Sequence, residues 1–202
     1  MANLIELTTK NNTAILTMNT AENRHNPAFL AEFNLHLDHI EADQNIKSVI
    51  LTSSSDKNWS LGIDLQWMSN PSILPAAISD FMIQISDLFK RIVTFPMPII
   101  AALNGHTYGN GSVLACACDF RFMKSDRGFF CFPEVDVIVP FVPSMFPIIN
   151  KAISQTFFNR LAMLGERVGA EQLLDNKVVE ATFINNDELQ AGVLEFAQQF
   201  NK

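Results

Sequence analysis

Apolar positions along this chain repeat at two periods, and the alternation between them predicts an α/β protein. Leu4 to Thr8 and Thr13 to Met18 read as strands joined by a hairpin turn at Lys10-Asn11-Asn12. Thr20 to Asn26 is polar. Asn26-Pro27 then opens a helix with a capping side chain and a proline at its first position. Phe29, Leu30, Phe33, Leu37 and Ile40 give that helix one buried face. Ser48 to Thr52 predicts a buried strand and Ser53 to Asn58 a polar loop. A Pro/Ser loop lies between Ser69 and Pro75. Ile78, Met82, Ile85, Phe89 and Ile92 then hold to one face of a helix from Ala76 to Val93. Pro98 to Leu103 is a continuous apolar run, the mark of a strand buried on both faces.

Asn104-Gly105 ends that run, and Gly109-Asn110-Gly111 opens an apolar stretch that predicts a buried helix. Phe120 to Met123 and Phe129 to Phe132 read as strands around the turn Ser125-Asp126-Arg127-Gly128, the second ending at Pro133-Glu134. Pro140, Pro143 and Pro147 delay the next helix to about Ile148, from where it runs to Leu164. A short helix at Ala170 to Leu174, a strand at Val178 to Thr182 and a helix from Asp187 to Phe200 follow. No repeat, linker or low-complexity tract interrupts the pattern, and 202 residues fit one domain with a sizeable core.

Composition changes this picture in three ways. Charged residues are only 17% of the chain against 48% hydrophobic, below the roughly 25% charge of an average domain, so extra buried surface and an oligomer are expected. A net charge of −7 argues against a nucleic-acid or anionic-membrane partner. Cys116, Cys118 and Cys131 have no metal or redox spacing and read as small buried hydrophobes in a reducing compartment. Met1-Ala2-Asn3 runs straight into a strand, there is no long apolar span, and Phe200-Asn201-Lys202 is no peroxisomal address. A cytoplasmic location is the expectation.

The candidate chemistry sits at the glycines. A strand that turns through glycines into a helix aims free backbone N–H groups, and the positive end of the helix dipole, at one spot. A dinucleotide fingerprint needs a further glycine where Leu114 stands. A phosphate loop needs a lysine before Ser112, and a nucleophile elbow needs glycines on both flanks of Ser112 that are missing. Two readings remain: a tight turn without chemistry, or an oxyanion site completed by a second donor elsewhere.

Pro98-Ile99-Ile100-Ala101-Ala102-Leu103-Asn104-Gly105-His106 followed by Gly109-Asn110-Gly111 resembles the second oxyanion segment of the enoyl-CoA hydratase/isomerase (crotonase) superfamily. Trp59-Ser60-Leu61-Gly62-Ile63-Asp64-Leu65 resembles its first. The likeness runs from about residue 4 to 183, and it implies a spiral of stacked β-β-α turns. It also implies further C-terminal helices in other members, so the helical region here is expected to be shortened. The two oxyanion N–H donors implied are those of Ile63 and Asn110, where Asn110 replaces the usual glycine or alanine and its side chain is expected to crowd a thioester.

Of the two glutamates that hydratases of this family use, the first falls at Val113 and the second at Glu134. One carboxylate suits a proton shuttle better than the addition of water. Pro133-Glu134-Val135-Asp136 also resembles the catalytic segment of the Δ3,Δ2-enoyl-CoA isomerase branch. Asp136 is read first as an exposed or structural carboxylate, with a pairing to Glu134 along the same side of an extended segment, raising its pKa, as the alternative. The resemblance further implies a CoA thioester as substrate and no permanently bound cofactor or metal. The resemblance implies that the CoA adenine and pantetheine are held largely by backbone groups near Leu61 and Ile63, with Gly62 and Asp64 also at the cofactor and the pair Arg24-His25 as cations near the CoA phosphates. Asp64 is expected to cap the following helix, His106 to be a packed histidine, and Gly109, Val113 and Asp136 to border the substrate pocket. Most of the 17 phenylalanines read as core, with several between Phe129 and Phe146 as candidates for an acyl tunnel. The implied assembly is a trimer or hexamer. Hydration, decarboxylation or thioester hydrolysis are the alternatives within the family, and a catalytically decayed acyl-CoA-binding protein is the alternative outside enzymology.

Overall fold

The computed structural model describes residues 3–201; Met1, Ala2 and Lys202, on which part of the reading of the chain ends rests, lie outside the described residues. β1 (Ile5–Lys10) and β2 (Thr13–Met18) pair antiparallel across Asn11 and Asn12, both at positive φ (50° and 62°), a backbone that asparagine tolerates better than most residues. α1 (Pro27–Ala42) starts as expected: the Asn26 side chain accepts the Phe29 N–H, and the five apolar residues read from the sequence are buried. β3 (Ser48–Ser53), β5 (Ile99–Leu103), β7 (Phe120–Lys124) and β9 (Ala181–Phe183) then add in parallel, so the large sheet has the order β1-β2-β3-β5-β7-β9.

A second, smaller parallel sheet runs β4 (Asn58–Ser60), β6 (His106–Tyr108), β8 (Phe130–Cys131). Each circuit of the chain therefore gives one strand to the large sheet, one to the small sheet, and then helix. β3 and β4 lead to α2 (Leu65–Met68) and α3 (Pro75–Val93). β5 and β6 lead to α4 (Asn110–Ala117), and β7 and β8 to α5 (Glu134–Val137). This is an α/β spiral of β-β-α units. β4 and β6 escaped the sequence reading because each is three residues long and sits in a polar or glycine-flanked stretch. β7 and β8, read as neighbours around one turn, belong to different sheets.

The central strands β3 and β5 are buried on both faces, which is why β5 reads as an unbroken apolar run. Val49, Leu51, Ala101 and Leu103 face the main core with α1, α3 and α4. Ile50, Ile100, Ala102 and Phe122 face α9 (Asn186–Ala197) through Leu189, Val193 and Ala197. The buried stripe of α3 is Phe81, Ile85, Leu88, Phe89 and Ile92. Ile78 and Met82 are only half-buried, so the helix is rotated slightly from the expected face. The single helix expected from Ile148 to Leu164 is two, α6 (Met145–Ala152) and α7 (Gln155–Leu164), because Ser154 adopts extended backbone and caps Phe157 N–H. Pro147 is accommodated in the first turn of α6, where a missing N–H leaves no bond unmade. α8 (Ala170–Asp175) follows as expected.

Every residue of α4 is buried. Its C-terminal carbonyls are taken by two cations: Arg121 donates to Ala115 O and Cys118 O, and Lys151 to Ala117 O while pairing with Asp119 at 3.0 Å. With the negative end of the dipole satisfied, the positive end lies at Asn110.

Candidate active site

The carboxyl ends of the three strands of the small sheet converge, the usual place for a site in parallel sheets. β4 runs out into Leu61–Asp64, β6 into Gly109-Asn110, and β8 into Pro133-Glu134. Two glycines let these turns touch. Gly62 has φ +76°, and a Cβ there would stand 2.8 Å from the Tyr108 carbonyl oxygen and 2.9 Å from the Asn110 nitrogen. Gly109 has φ +54°, and its missing Cβ would lie 3.5 Å from Glu134 Oε1. The Gly62 turn thus lies against the Gly109-Asn110 turn, and that turn against the Glu134 carboxylate.

Among the described residues, neither the Ile63 N–H nor the Asn110 N–H has an acceptor within the protein. Ile63 is bracketed by main-chain bonds on both sides: His25 N–H donates to Gly62 O at 2.8 Å and Asp64 N–H to His25 O at 2.9 Å. Asn110 is the first residue of α4, so its amide carries the positive end of that helix. A pocket of about 320 Å³ opens here. Its polar wall includes Arg24, Tyr108, Gly109, Asn110 and Glu134, and its apolar wall includes Leu61, Ile63, Met82, Phe141, Val142 and Met145.

Glu134 opens α5. Its Oε2 is buried with no hydrogen-bond partner among the described residues, and burial raises its pKa to about 7. A carboxylate that titrates near neutrality beside unengaged N–H donors has the properties of a general base next to an anion site.

The structure brings Arg24, Leu61, Ile63, Gly109, Asn110 and Glu134 around one pocket and moves several other expected residues away from it. His25 is 1% exposed and its pKa is lowered to about 3 by burial, so it is a neutral core imidazole and no phosphate cation. Arg24 stays at the rim, paired with Glu22 at 2.6 Å and donating to Ile63 O at 3.3 Å. Val113 is fully buried in the core and is absent from the pocket wall. Asp136 is not beside the Glu134 carboxylate, because the segment is a helical turn and residues two apart point in different directions. Its Oδ2 lies instead against Gly165, and the cause of the Glu134 shift is burial. Gly62 sits behind the wall as a spacer. Asp64 caps α2 by accepting the Trp67 N–H at 3.0 Å.

His106 opens β6, accepts the Phe129 N–H and stacks on its ring at 5.7 Å. Of the phenylalanines, Phe141 reaches the pocket, while Phe132, Phe146 and Phe158 pack around it at 5.5–5.8 Å. Sequence reasoning missed Tyr108, whose place on the wall follows from the unpredicted β6. It also missed Met82 as a wall residue, though the helical period had already set it beside the core.

The family model for enoyl-CoA hydratase/isomerase matches residues 8–202, and the chain belongs to that family. It is 31% identical over 180 residues to enoyl-CoA delta isomerase 3 of Arabidopsis thaliana, covering 86% of this chain and 73% of the relative. It is 29% identical over 173 residues to the peroxisomal enoyl-CoA delta isomerase 2 of the same plant, covering 83% and 71%. The solved structure of an enoyl-CoA hydratase/isomerase family protein from a Pseudomonas superposes with a TM-score of 0.89 at 25% identity, over 98% of this chain and 84% of that one. The fold is thus the crotonase fold. Among the described residues no helix is long and apolar enough to cross a membrane.

Proposed function

We propose that this chain is a Δ3,Δ2-enoyl-CoA isomerase acting in fatty acid metabolism, moving the double bond of a 3-enoyl-CoA to the trans-2 position. The observation that carries it is the juxtaposition of one neutral-range carboxylate with two unengaged N–H groups, and no second proton-transfer group at position 113. The thioester carbonyl would accept from Ile63 and Asn110. Glu134 would remove the C2 proton, and the electron pair of that bond would pass to the thioester oxygen as a dienolate. Protonated Glu134 would then give the proton to C4 as the double bond settles between C2 and C3, returning the carboxylate. No water is consumed and no resident cofactor is required. Arg24 at the rim suits the CoA phosphates, and the apolar wall of Met82, Phe141, Val142 and Met145 suits the acyl chain.

The isomerase names of the relatives support this reading, as does Val113, whose side chain moves no proton. The expected assembly is a trimer or hexamer, supported by the low charge content and an exposed apolar face on α5 and α7. Three free buried thiols suit a reducing compartment such as the cytoplasm.

The test is turnover of 3-hexenoyl-CoA, followed by the absorbance of the conjugated thioester. Wild type forms 2-enoyl-CoA, and hydration of 2-enoyl-CoA is slow. Glu134→Gln, which keeps shape but loses the base, lowers the rate by at least about 10²-fold, while octanoyl-CoA still binds. Equal rates for the two proteins would remove Glu134 from the mechanism. Binding without turnover in either would favour a decayed acyl-CoA-binding protein.

A further inference from the structure

His25 is a fully buried titratable group at the site that the proposed reaction does not use, and its contacts point in both directions. Its backbone forms the isolated parallel bridge with Ile63, bonding Gly62 on one side and Asp64 on the other. Its ring reaches 85 residues along the chain, with Nδ1 at 2.7 Å from Asn110 Nδ2. On the opposite ring edge, Nε2 lies 3.0 Å from Ser60 Oγ. The ring is packed on Phe29 at a centroid distance of 4.8 Å and an interplanar angle of 20°.

The hydrogen-bond directions in this cluster follow from the chemistry. Ser60 Oγ donates to Asn23 O at 2.8 Å, because a carbonyl only accepts. Its hydroxyl proton is therefore spent, and it accepts from Gly62 N–H at 3.2 Å and from His25 Nε2–H. Nδ1 is then the lone-pair nitrogen and accepts from the Asn110 amide. Burial keeps the ring neutral, which this arrangement requires. The Asn110 side chain is thereby turned away from a thioester and into the core, which answers the crowding expected from the sequence. It leaves Asn110 Oδ1 buried without a partner among the described residues. Asn110 is 5% exposed and His25 1%, so water does not compete for the link.

We propose that His25 is a positioning residue that sets both oxyanion donors, the Ile63 N–H through its backbone bridge and the Asn110 N–H through the bond from its ring to the Asn110 side chain. In this arrangement Asn110 is no intrusion into the site but the anchor that ties α4 to the first oxyanion turn. The proposal rests on the reading that Ile63 and Asn110 hold the thioester oxygen.

The experiment has two arms. In the first, nitrogen NMR of the uniformly labelled wild-type protein should show His25 as the Nε2–H tautomer from pH 5 to 8. It should also show a scalar coupling across the hydrogen bond between Asn110 Nδ2 and His25 Nδ1. A His25 that titrates near its ordinary value, or an absent coupling, overturns the link. In the second, octanoyl-CoA carrying 13C at the thioester carbonyl is bound and its carbonyl stretch recorded in the infrared. Wild type should lower the stretch relative to free octanoyl-CoA. His25→Phe, which keeps the stack on Phe29, should lose most of that shift with affinity changed less than about threefold. Asn110→Ala should lose a similar part, and the double variant no more than either single one. His25→Asn, which replaces Nδ1 with an acceptor oxygen near the same place, should retain more of the shift than His25→Phe. An unchanged shift in His25→Phe, or additive losses, overturns the positioning role while leaving the isomerase reading intact. No shift in wild type would overturn the oxyanion assignment itself, and the positioning proposal with it. Circular dichroism melts of each variant separate loss of fold from loss of position.

Discussion

Glu134 holds a carboxylate where the surrounding wall is mostly apolar, and both its chemistry and its cost follow from that. Desolvation favours the neutral form, so the folded pKa rises from 4.5 to about 7. The unfolded chain ionises first. Between about pH 4.5 and 7 the folded state holds a proton that the unfolded state has lost, so stability falls across that window and the penalty is complete above it. Its size is of the order of 3 kcal/mol before solvent screening at this partly open site reduces it. Glu134→Gln is therefore expected to stabilise the protein at pH 8 and to change little at pH 4.5, as read from urea midpoints at the two values. In the same variant, the rising limb of kcat/KM with an apparent pKa near 7 should vanish. A wild-type limb centred near 4.5 would mean that the carboxylate is solvated and not the poised base described above. Glu134 was legible in the sequence through the Pro-Glu segment after a strand. His25 was not, because an Arg-His pair in a polar stretch looks the same whether it is exposed or buried. Only the third dimension shows that residue 25 bridges Ile63 while its ring meets Asn110.

At the scale of elements, the site depends on backbone turns meeting without side chains between them. Gly62→Ala would set a methyl group 2.8 Å from Tyr108 O and 2.9 Å from Asn110 N, both backbone atoms, at a φ that L side chains rarely adopt. The turns must separate, and the expected result is a loss of about 1–3 kcal/mol in stability together with a larger proportional loss of turnover. Ser154→Ala is the contrast. It removes the cap of α7 at the other end of the α6–α7 corner, and should cost about 1 kcal/mol by urea titration with turnover unchanged. If Gly62→Ala keeps full turnover, the approach of the two turns is not what holds the donors in place. Long periodic elements were readable for a simple reason: α1, α3, β3 and β5 bury whole faces, and burial writes itself into the apolar period. β4 and β6 contribute only three residues each and are held by neighbours distant in sequence. The break between α6 and α7 turned on one serine whose capping role competes with an otherwise helical pattern.

For the whole molecule, the distribution of exposed apolar surface decides the last expectation. Val135 and Ile138 of the α5 turn are 48% and 90% exposed, and Met163 and Leu164 at the end of α7 are 72% and 68% exposed. α5 and α7 are in contact, and the Cβ that Gly165 lacks would lie 3.3 Å from Val135 Cγ1, so the exposed end of α7 adjoins the α5 turn. Ile138 also sits at φ +55°, a conformation that costs a β-branched residue about 1–2 kcal/mol and has no compensating burial within the chain. Patches of this kind mark association surfaces. Light scattering at about 10 μM should give a particle of three or six times the 22.6 kDa of one chain. The pair Met163→Glu and Leu164→Glu would bury two unpaired carboxylates in any contact using this face, and should shift the mass toward one chain. Because α5 carries Glu134 beside the same face, the charged variant should also lose turnover, and raising protein concentration should restore part of it. A wild-type mass of one chain at that concentration would show that the exposed face is not an assembly surface. An unchanged oligomer in the double glutamate variant would place the contact elsewhere on the molecule.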